Sequence, residues 1–329
     1  MAKTTADTAS HSIVCLDGAT LYPKDDSHWH LFDALGTLTV YDRTPASEVV
    51  ARLADADIAL TNKTPIDARA IAALPRLRYI GVLATGYNIV DVAAATAAGI
   101  TVTNIPAYST HSVAQQAIAL LLAITNRVES YADAVRAGRW TACPDFTFRL
   151  EDWHELAGKT FGIVGFGNTG RATAAIAAAM GMDIAVYTSK SKDMLPDGYR
   201  KVDLDTLFAT SDVVSLHCPL TPDTKGLVDS RRLASMKPSA ILINTSRGPV
   251  VGADALANAL EQNEIFAAGI DVLDIEPPTA ENPLLQAPRC FITPHVAWSS
   301  VEARERLAQI ATNNISAFLA HSPVNIVKK

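Results

Sequence analysis

Six apolar runs in the second half of the chain constrain its fold more than any other feature: Thr160–Val164, Asp183–Tyr187, Val213–His217, Ala240–Asn244, Ala267–Val272 and Cys290–Thr293. Runs such as Ala-Ile-Leu-Ile-Asn are continuous rather than alternating, so they offer no face that water can wet. A strand of that kind must be covered on both sides, which points to a parallel sheet with helices crossing over each face. The first hundred residues repeat the theme in Ile13–Leu16, Leu38–Tyr41, Ile58–Thr61, Tyr79–Val82 and Thr101–Thr103, with helical patterns around Ala46–Leu53, Asp67–Leu74 and Val90–Ala98 between them. Two such series in 329 residues predict an α/β protein of two doubly wound parallel-sheet domains. Between them, Asn104-Ile-Pro-Ala107 breaks the pattern, and a long helix is predicted from about Ser112 to Ala137. Its first half is apolar nearly all round, so it needs cover, and a second subunit is one source of it. Gly138 to Glu155 has no readable period, and a last helix, Val301 to Ala320, can cross back over the first domain.

The strand Thr160–Val164 runs into Gly165-Phe-Gly-Asn-Thr-Gly170, and Thr169 to Met180 is then a helix of small residues. A glycine-rich turn alone is weak evidence, but strand, loop and helix in this order are what a dinucleotide needs. Gly165, Gly167 and Gly170 let the backbone approach a pyrophosphate, and the helix N-terminus supplies amides and the positive end of its dipole. About 20 residues further on, a carboxylate normally grips the ribose hydroxyls of NAD. Here the segment reads DIAVYTSKSK, with no carboxylate until Asp193. Thr188 stands about where that carboxylate would be. Thr188 and Ser189 can donate hydroxyl hydrogen bonds to a 2′-phosphate, and Lys190 or Lys192 can supply charge. The expected cofactor is therefore NAD(H), NADP(H) or both.

Three later strands each deliver a polar residue just past their carboxyl ends, the edge along which ligands bind in open α/β sheets. They are Arg247 in Asn-Thr-Ser-Arg-Gly-Pro, Glu276 in Asp-Ile-Glu-Pro-Pro, and His295 in Thr-Pro-His-Val-Ala. Singly, each has an ordinary structural explanation; in this register behind a glycine loop they form a constellation. Reducing a 2-keto acid needs a hydride on C2 and a proton on the emerging alkoxide. Histidine suits the proton transfer, a carboxylate beside it holds the ring, and arginine can bond the substrate carboxylate and the reacting oxygen together. Asp271 can accept from the nicotinamide carboxamide.

Other signals exclude more than they assign. Net charge is −6, and basic residues run no longer than pairs such as Arg231-Arg232 and Lys328-Lys329, which argues against nucleic acid or an anionic membrane as partner. Cys15, Cys143, Cys218 and Cys290 form no CxxC spacing, and three of them lie in apolar runs, as buried thiols of a reducing, cytoplasmic protein do. The stretch MAKTTADTASHS lacks the apolar core of a signal peptide. His28-Trp-His30 reads as a surface helix rather than a metal site, because no third ligand is evident. His217 lines the site or sits in the core, and His111 belongs to the first turn of the long helix.

At this point the chain resembles the D-isomer-specific 2-hydroxyacid dehydrogenases over nearly its whole length. The matching motifs are Gly-Phe-Gly-Asn-Thr-Gly (165–170), His217-Cys-Pro-Leu-Thr-Pro, Ile-Asn-Thr-Ser-Arg-Gly (243–248), Gly269-Ile-Asp-Val-Leu and Thr293-Pro-His. The resemblance implies a flavodoxin-like substrate domain, 1–107 plus 299–329, and a Rossmann dinucleotide-binding domain, 108–298, with closure about the Ala107 and Ser299 crossings excluding water. It implies Arg247, Glu276 and His295 as the catalytic set, with Ala84, Thr85 and Gly86 of the Leu83–Asn88 loop binding the substrate carboxylate beside Arg247. It further implies cofactor contacts from Asn168, Thr169, Cys218, Pro219, Thr224, Thr245, Ser246, Asp271, His295 and Ala297, and a homodimer built through the Ser112–Glu155 arm. Three departures stand out: Gln115 where the family usually has Glu, Ala297 where Gly is commoner, and the missing ribose carboxylate. The first two resemble the glycerate dehydrogenase (hydroxypyruvate reductase) branch and favour a small substrate, hydroxypyruvate or glyoxylate. Two other readings stay open: a sibling dehydrogenase with a different small donor, and a non-catalytic dinucleotide-sensing scaffold. Glu276 counts against formate dehydrogenase, where the resemblance would put Gln beside the histidine.

Overall fold

The computed structural model describes residues 11–150 and 154–327. The first ten residues of the polar N-terminus, Glu151–Trp153 of the arm and the Lys328-Lys329 pair lie outside the described residues. Contacts divide the chain into two units, one running to Ser109 and resuming at Ser299, the other spanning Thr110–Trp298. The first crossing thus falls two residues later than the sequence boundary at 107. Tyr108 stays with the first unit because its carbonyl accepts from Arg306 Nε at 2.9 Å.

The first unit holds five parallel strands, β1 (Ser12–Cys15), β2 (Thr37–Val40), β3 (Ile58–Thr61), β4 (Tyr79–Val82) and β5 (Thr101–Thr103), in the order β2-β1-β3-β4-β5. That is the flavodoxin-like order, with its switch point between β1 and β3. Crossovers carry the short helices α1 (Val49–Leu53), α2 (Ala68–Ala72) and α3 (Val92–Ala97). Asp67 and Asp91 start two of them, each accepting from the amide three residues on, at 2.8 and 2.9 Å. Such a cap stabilises a helix by about 1 kcal/mol, which matters in helices this short. The helix Val301–Leu319 starts on Ser300, whose hydroxyl accepts from Ala303 N, and buries Ala303, Leu307, Ala311 and Ile315 in this unit. It packs against β4, and its Phe318 ring lies 4.9 Å from that of Tyr79.

The second unit holds a seven-stranded parallel sheet: β6 (Thr160–Val164), β7 (Asp183–Tyr187), β8 (Arg200–Lys201), β9 (Val213–Leu216), β10 (Ile241–Asn244), β11 (Ala267–Ile270) and β12 (Cys290–Ile292). Their order, β12-β11-β10-β9-β6-β7-β8, reverses direction beside β6, as in the dinucleotide-binding folds. Its helices are α4 (Thr110–Asn126), α5 (Val128–Arg136), α6 (Asn168–Ala179), α7 (Leu204–Thr210), α8 (Ser230–Ser235) and α9 (Ala253–Glu261), so Val301–Leu319 is α10. The core on one face joins α4 and α6 to the sheet through Leu120, Leu121, Phe161, Ile163, Ala174 and Ile243; the other gathers Leu207, Phe208, Leu216, Leu242 and Leu256.

The structure departs from the sequence expectations at several points. The long helix predicted over 112–137 is two helices, because Arg127 adopts φ +52° and ends the run of helical hydrogen bonds. Arginine is an ordinary helix former, so nothing in the pattern marks the break. The apolar face of α4 is buried as its composition requires, and its own unit covers Val113, Ala117, Leu120, Leu121 and Ile124 through α6, β10 and β11. The edge strand β8 has no counterpart among the predicted strands: its two exposed residues, paired with Ala185 and Val186 of β7, carry no apolar signature. His28 and His30 lie on a 3-10 turn, Ser27–Phe32, and pair through Nδ1 with Asp26 and Asp33 at 2.5 and 2.9 Å.

Candidate active site

The glycine loop follows β6 directly. Gly165 has φ +95°, and a Cβ there would meet the Cys218 amide at 2.8 Å. A Cβ on Gly170 would stand 2.1 Å from the Gly165 carbonyl, so α6 can approach β6 this closely only without one. Above Gly167 there is open space, and this N-cap residue offers no side chain to the first-turn amides of α6. Nearby, at the end of β10, the buried Thr245 hydroxyl has no hydrogen-bond partner among the described residues. Open glycine, uncapped helix amides and an orphaned buried hydroxyl together fit a bound dinucleotide.

His217, at the end of β9, touches this loop through its backbone. Its Nε2 pairs with Ser215 Oγ at 2.9 Å, and burial pushes its pKa down to about 4, so the ring is neutral at working pH. Cys218 is buried and its thiol is pushed up by desolvation. The Thr224 hydroxyl donates to Pro219 O at 2.6 Å and closes the 219–224 turn.

The loop after β10 is organised by Asn244, which is fully buried. Its Oδ1 accepts from the Ser246 amide and hydroxyl at 3.0 and 2.8 Å, and its Nδ2 donates to the Arg247 carbonyl at 3.0 Å. Arg247 is thereby held part-buried in extended backbone at the carboxyl edge. Sequence reasoning missed Asn244, although an Asn closing an apolar run ahead of a turn is a readable signal.

His295 and Glu276 meet. Nδ1 lies 2.6 Å from Glu276 Oε2, while Oε1 of the same carboxylate accepts from Leu273 N at 2.9 Å. His295 itself sits at φ +53°, a left-handed conformation that costs a non-glycine residue roughly 1–2 kcal/mol. Asp271 offsets that cost. Its backbone carbonyl takes the His295 amide at 2.8 Å, and its carboxylate accepts from Thr293 Oγ1 at 2.6 Å, Val296 N at 3.0 Å and Ala297 N at 2.9 Å. Asp271 is buried, and desolvation raises its pKa. A carboxylate has about four acceptor positions, so these three bonds leave room for one more. From α4, Ser112 Oγ donates to Ala297 O at 2.5 Å and Gln116 Nε2 reaches Thr293 Oγ1 at 3.3 Å. These residues were missed: Gln115, the departure noted in the sequence, is exposed, and its neighbour on the Ser112 face makes the contact.

At the other end of the edge, Thr188 Oγ1 accepts from Lys190 N at 3.3 Å, Ser189 is exposed, and Lys190 Nζ lies 5.9 Å from the centre of the Phe166 ring. In the first unit, Ala84, Thr85 and Gly86 follow β4. Ala84 O accepts from Ile105 N at 3.0 Å, and Thr85 O from Asn104 Nδ2 at 2.8 Å. No helix among the described residues is long and apolar enough to cross a membrane.

Residues 118–297 match the NAD binding domain of the D-isomer specific 2-hydroxyacid dehydrogenases. A hydroxypyruvate reductase of Blautia hydrogenotrophica is 46% identical over 96% of this chain and 99% of its own length. A glycerate dehydrogenase of Methylorubrum extorquens is 43% identical over 85% of this chain and 88% of its own. An NADPH-dependent glyoxylate/hydroxypyruvate reductase of Sinorhizobium meliloti, solved with NADP and malonate, superposes with a TM-score of 0.83 at 28% identity, covering 97% of each chain.

Proposed function

This chain belongs to the D-isomer specific 2-hydroxyacid dehydrogenase family, as an NAD(P)-dependent oxidoreductase, and on that premise we propose that it reduces hydroxypyruvate or glyoxylate to the 2-hydroxy acid. The observation that carries the proposal is the 2.6 Å contact between His295 Nδ1 and Glu276 Oε2, on the strand edge that also presents Arg247. The reduced nicotinamide supplies the hydride. With Nδ1 engaged by Glu276, Nε2 is the atom of His295 left to give a proton to the emerging alkoxide. Glu276 orients the ring. Arg247 binds the substrate carboxylate and the reacting oxygen through its planar fork, stabilising the charge that grows there. The amides of Ala84, Thr85 and Gly86 are assigned to the substrate carboxylate.

On the cofactor side, we assign the pyrophosphate to Gly165, Gly167, Asn168, Thr169 and Gly170. Thr188, Ser189 and Lys190 would meet the adenosine ribose, and Cys218, Pro219, Thr224, Thr245, Ser246, Asp271 and Ala297 would line the rest. The one acceptor position left on Asp271 suits a nicotinamide carboxamide. Two copies are proposed to associate through the arm, on which Val128, Trp140 and Phe146 are 71%, 51% and 89% exposed. Sedimentation showing a monomer at micromolar concentration would remove the dimer. The four free thiols suit a cytoplasmic setting. Oxidation of NADH and NADPH against a panel of 2-keto acids tests the activity. Turnover of hydroxypyruvate or glyoxylate ahead of bulkier acids is expected, and no turnover of any acid would leave a sibling with a different donor or the scaffold reading.

A further inference from the structure

The segment after β7 is the one place where the chain lacks the carboxylate that an NAD-binding sheet usually carries, and the structure adds a cation that the sequence did not single out. Lys201 lies on β8, opposite Val186 and so two residues short of Thr188 across the ladder. Its Nζ crosses to the loop and donates to Lys190 O at 2.5 Å. Lys201, Tyr187, Thr188, Val202, Asp203 and Thr206 line an open groove of about 510 Å³. One ammonium donor is engaged by a neutral carbonyl and two remain, with the charge unpaired by any carboxylate among the described residues. The acid in the same groove is turned elsewhere. Asp203 caps α7, taking Thr206 N at 2.9 Å on one oxygen and Thr206 Oγ1 at 2.7 Å on the other.

We propose that Lys201 determines acceptance of the 2′-phosphorylated cofactor, its ammonium meeting the phosphate that Thr188 does not repel. The proposal rests on the oxidoreductase reading and deepens it. From the sequence, Lys190 or Lys192 can supply that charge. In the structure Lys190 leans over Phe166 of the glycine loop, whereas Lys201 and Thr188 share one groove. A lysine here acts as a point charge rather than a clamp, so it admits the phosphate without excluding NAD.

Calorimetric titration of the full-length protein with adenosine 2′,5′-bisphosphate and with 5′-AMP tests this without turnover. Lys201→Gln removes the charge and keeps a polar side chain that can donate hydrogen bonds. It should weaken the bisphosphate by about five- to tenfold, the range of one charge-assisted contact near solvent, and leave 5′-AMP within about twofold. Lys201→Arg should retain the preference, and raising salt should shrink the difference between wild type and Lys201→Gln. Equal weakening of both nucleotides would make Lys201 a prop for the loop and overturn the proposal, as would no change in either. A protein that discriminates the two nucleotides through Lys201 yet reduces no 2-keto acid would sink the substrate reading and leave this one standing.

Discussion

The two ends of the nucleotide unit's carboxyl edge are built on opposite plans. Beyond β10 to β12, side chains are fixed by buried polar groups. Asn244 holds the Arg247 loop, and Asp271 holds the His295 loop through four hydrogen bonds, counting its carbonyl. Beyond β7 and β8, Tyr187, Ser189 and Lys201 are exposed, and the loop is tied by single contacts such as Lys201 Nζ to Lys190 O. The roles proposed for His295 and Arg247 depend on placement to a fraction of an ångström, and both residues sit in loops held by buried polar side chains. Discrimination between cofactors needs only the presence or absence of charge. It can rest on exposed surface groups, where one substitution changes specificity without disturbing the core.

That contrast can be broken most directly at His295. His295→Ala should lower kcat by about a thousandfold, within the range for loss of a general acid, while nucleotide affinity changes little. Near-normal turnover would end the assignment, and lost nucleotide binding would recast the residue as structural. Next in size is Arg247→Lys, which keeps the charge and loses the fork. A fall in kcat/KM of about a hundredfold is expected, and an unchanged value would remove Arg247 from the substrate. Glu276→Gln is milder, with a loss of about tenfold at neutral pH. The amide oxygen can still take the Nδ1 hydrogen but holds the ring less firmly, so the loss should fall on kcat and leave nucleotide affinity little changed. An unchanged kcat would limit Glu276 to its contact with the Leu273 amide.

The smallest effect belongs to the exposed end. Thr188→Asp should lower kcat/KM for NADPH by about tenfold and leave NADH nearly untouched, since it restores the charge that repels a 2′-phosphate. If the unmodified enzyme already uses NADH hundreds of times better than NADPH, something outside this segment excludes the phosphate.

The legibility of the sequence follows the same division. Ile58–Thr61, Tyr79–Val82, Thr160–Val164 and Asp183–Tyr187 coincide with observed strands because burial on both faces leaves a continuous apolar run. His295 and Glu276 were readable as strand-end residues, and their 2.6 Å contact follows from β11 and β12 being neighbours. What holds them was not. Asp271 drew a cofactor role in the sequence, and only tertiary structure brings Thr293, Val296 and Ala297 onto its carboxylate. The break at Arg127 lacks a Gly or Pro to announce it, and Lys201 sits on a strand of two exposed residues.

The return of α10 has a consequence for how the molecule is made. Arg304 bonds the Leu21 carbonyl across 283 residues, Arg306 reaches Tyr108 across 198, and Asn314 reaches Thr103 across 211. The nucleotide unit is one unbroken stretch and has all its strands as soon as β12 leaves the ribosome. The first unit, although synthesised earlier, must wait with part of its apolar surface bare until the residues through Leu319 follow. Translation therefore delivers the nucleotide fold complete before the first unit can be completed.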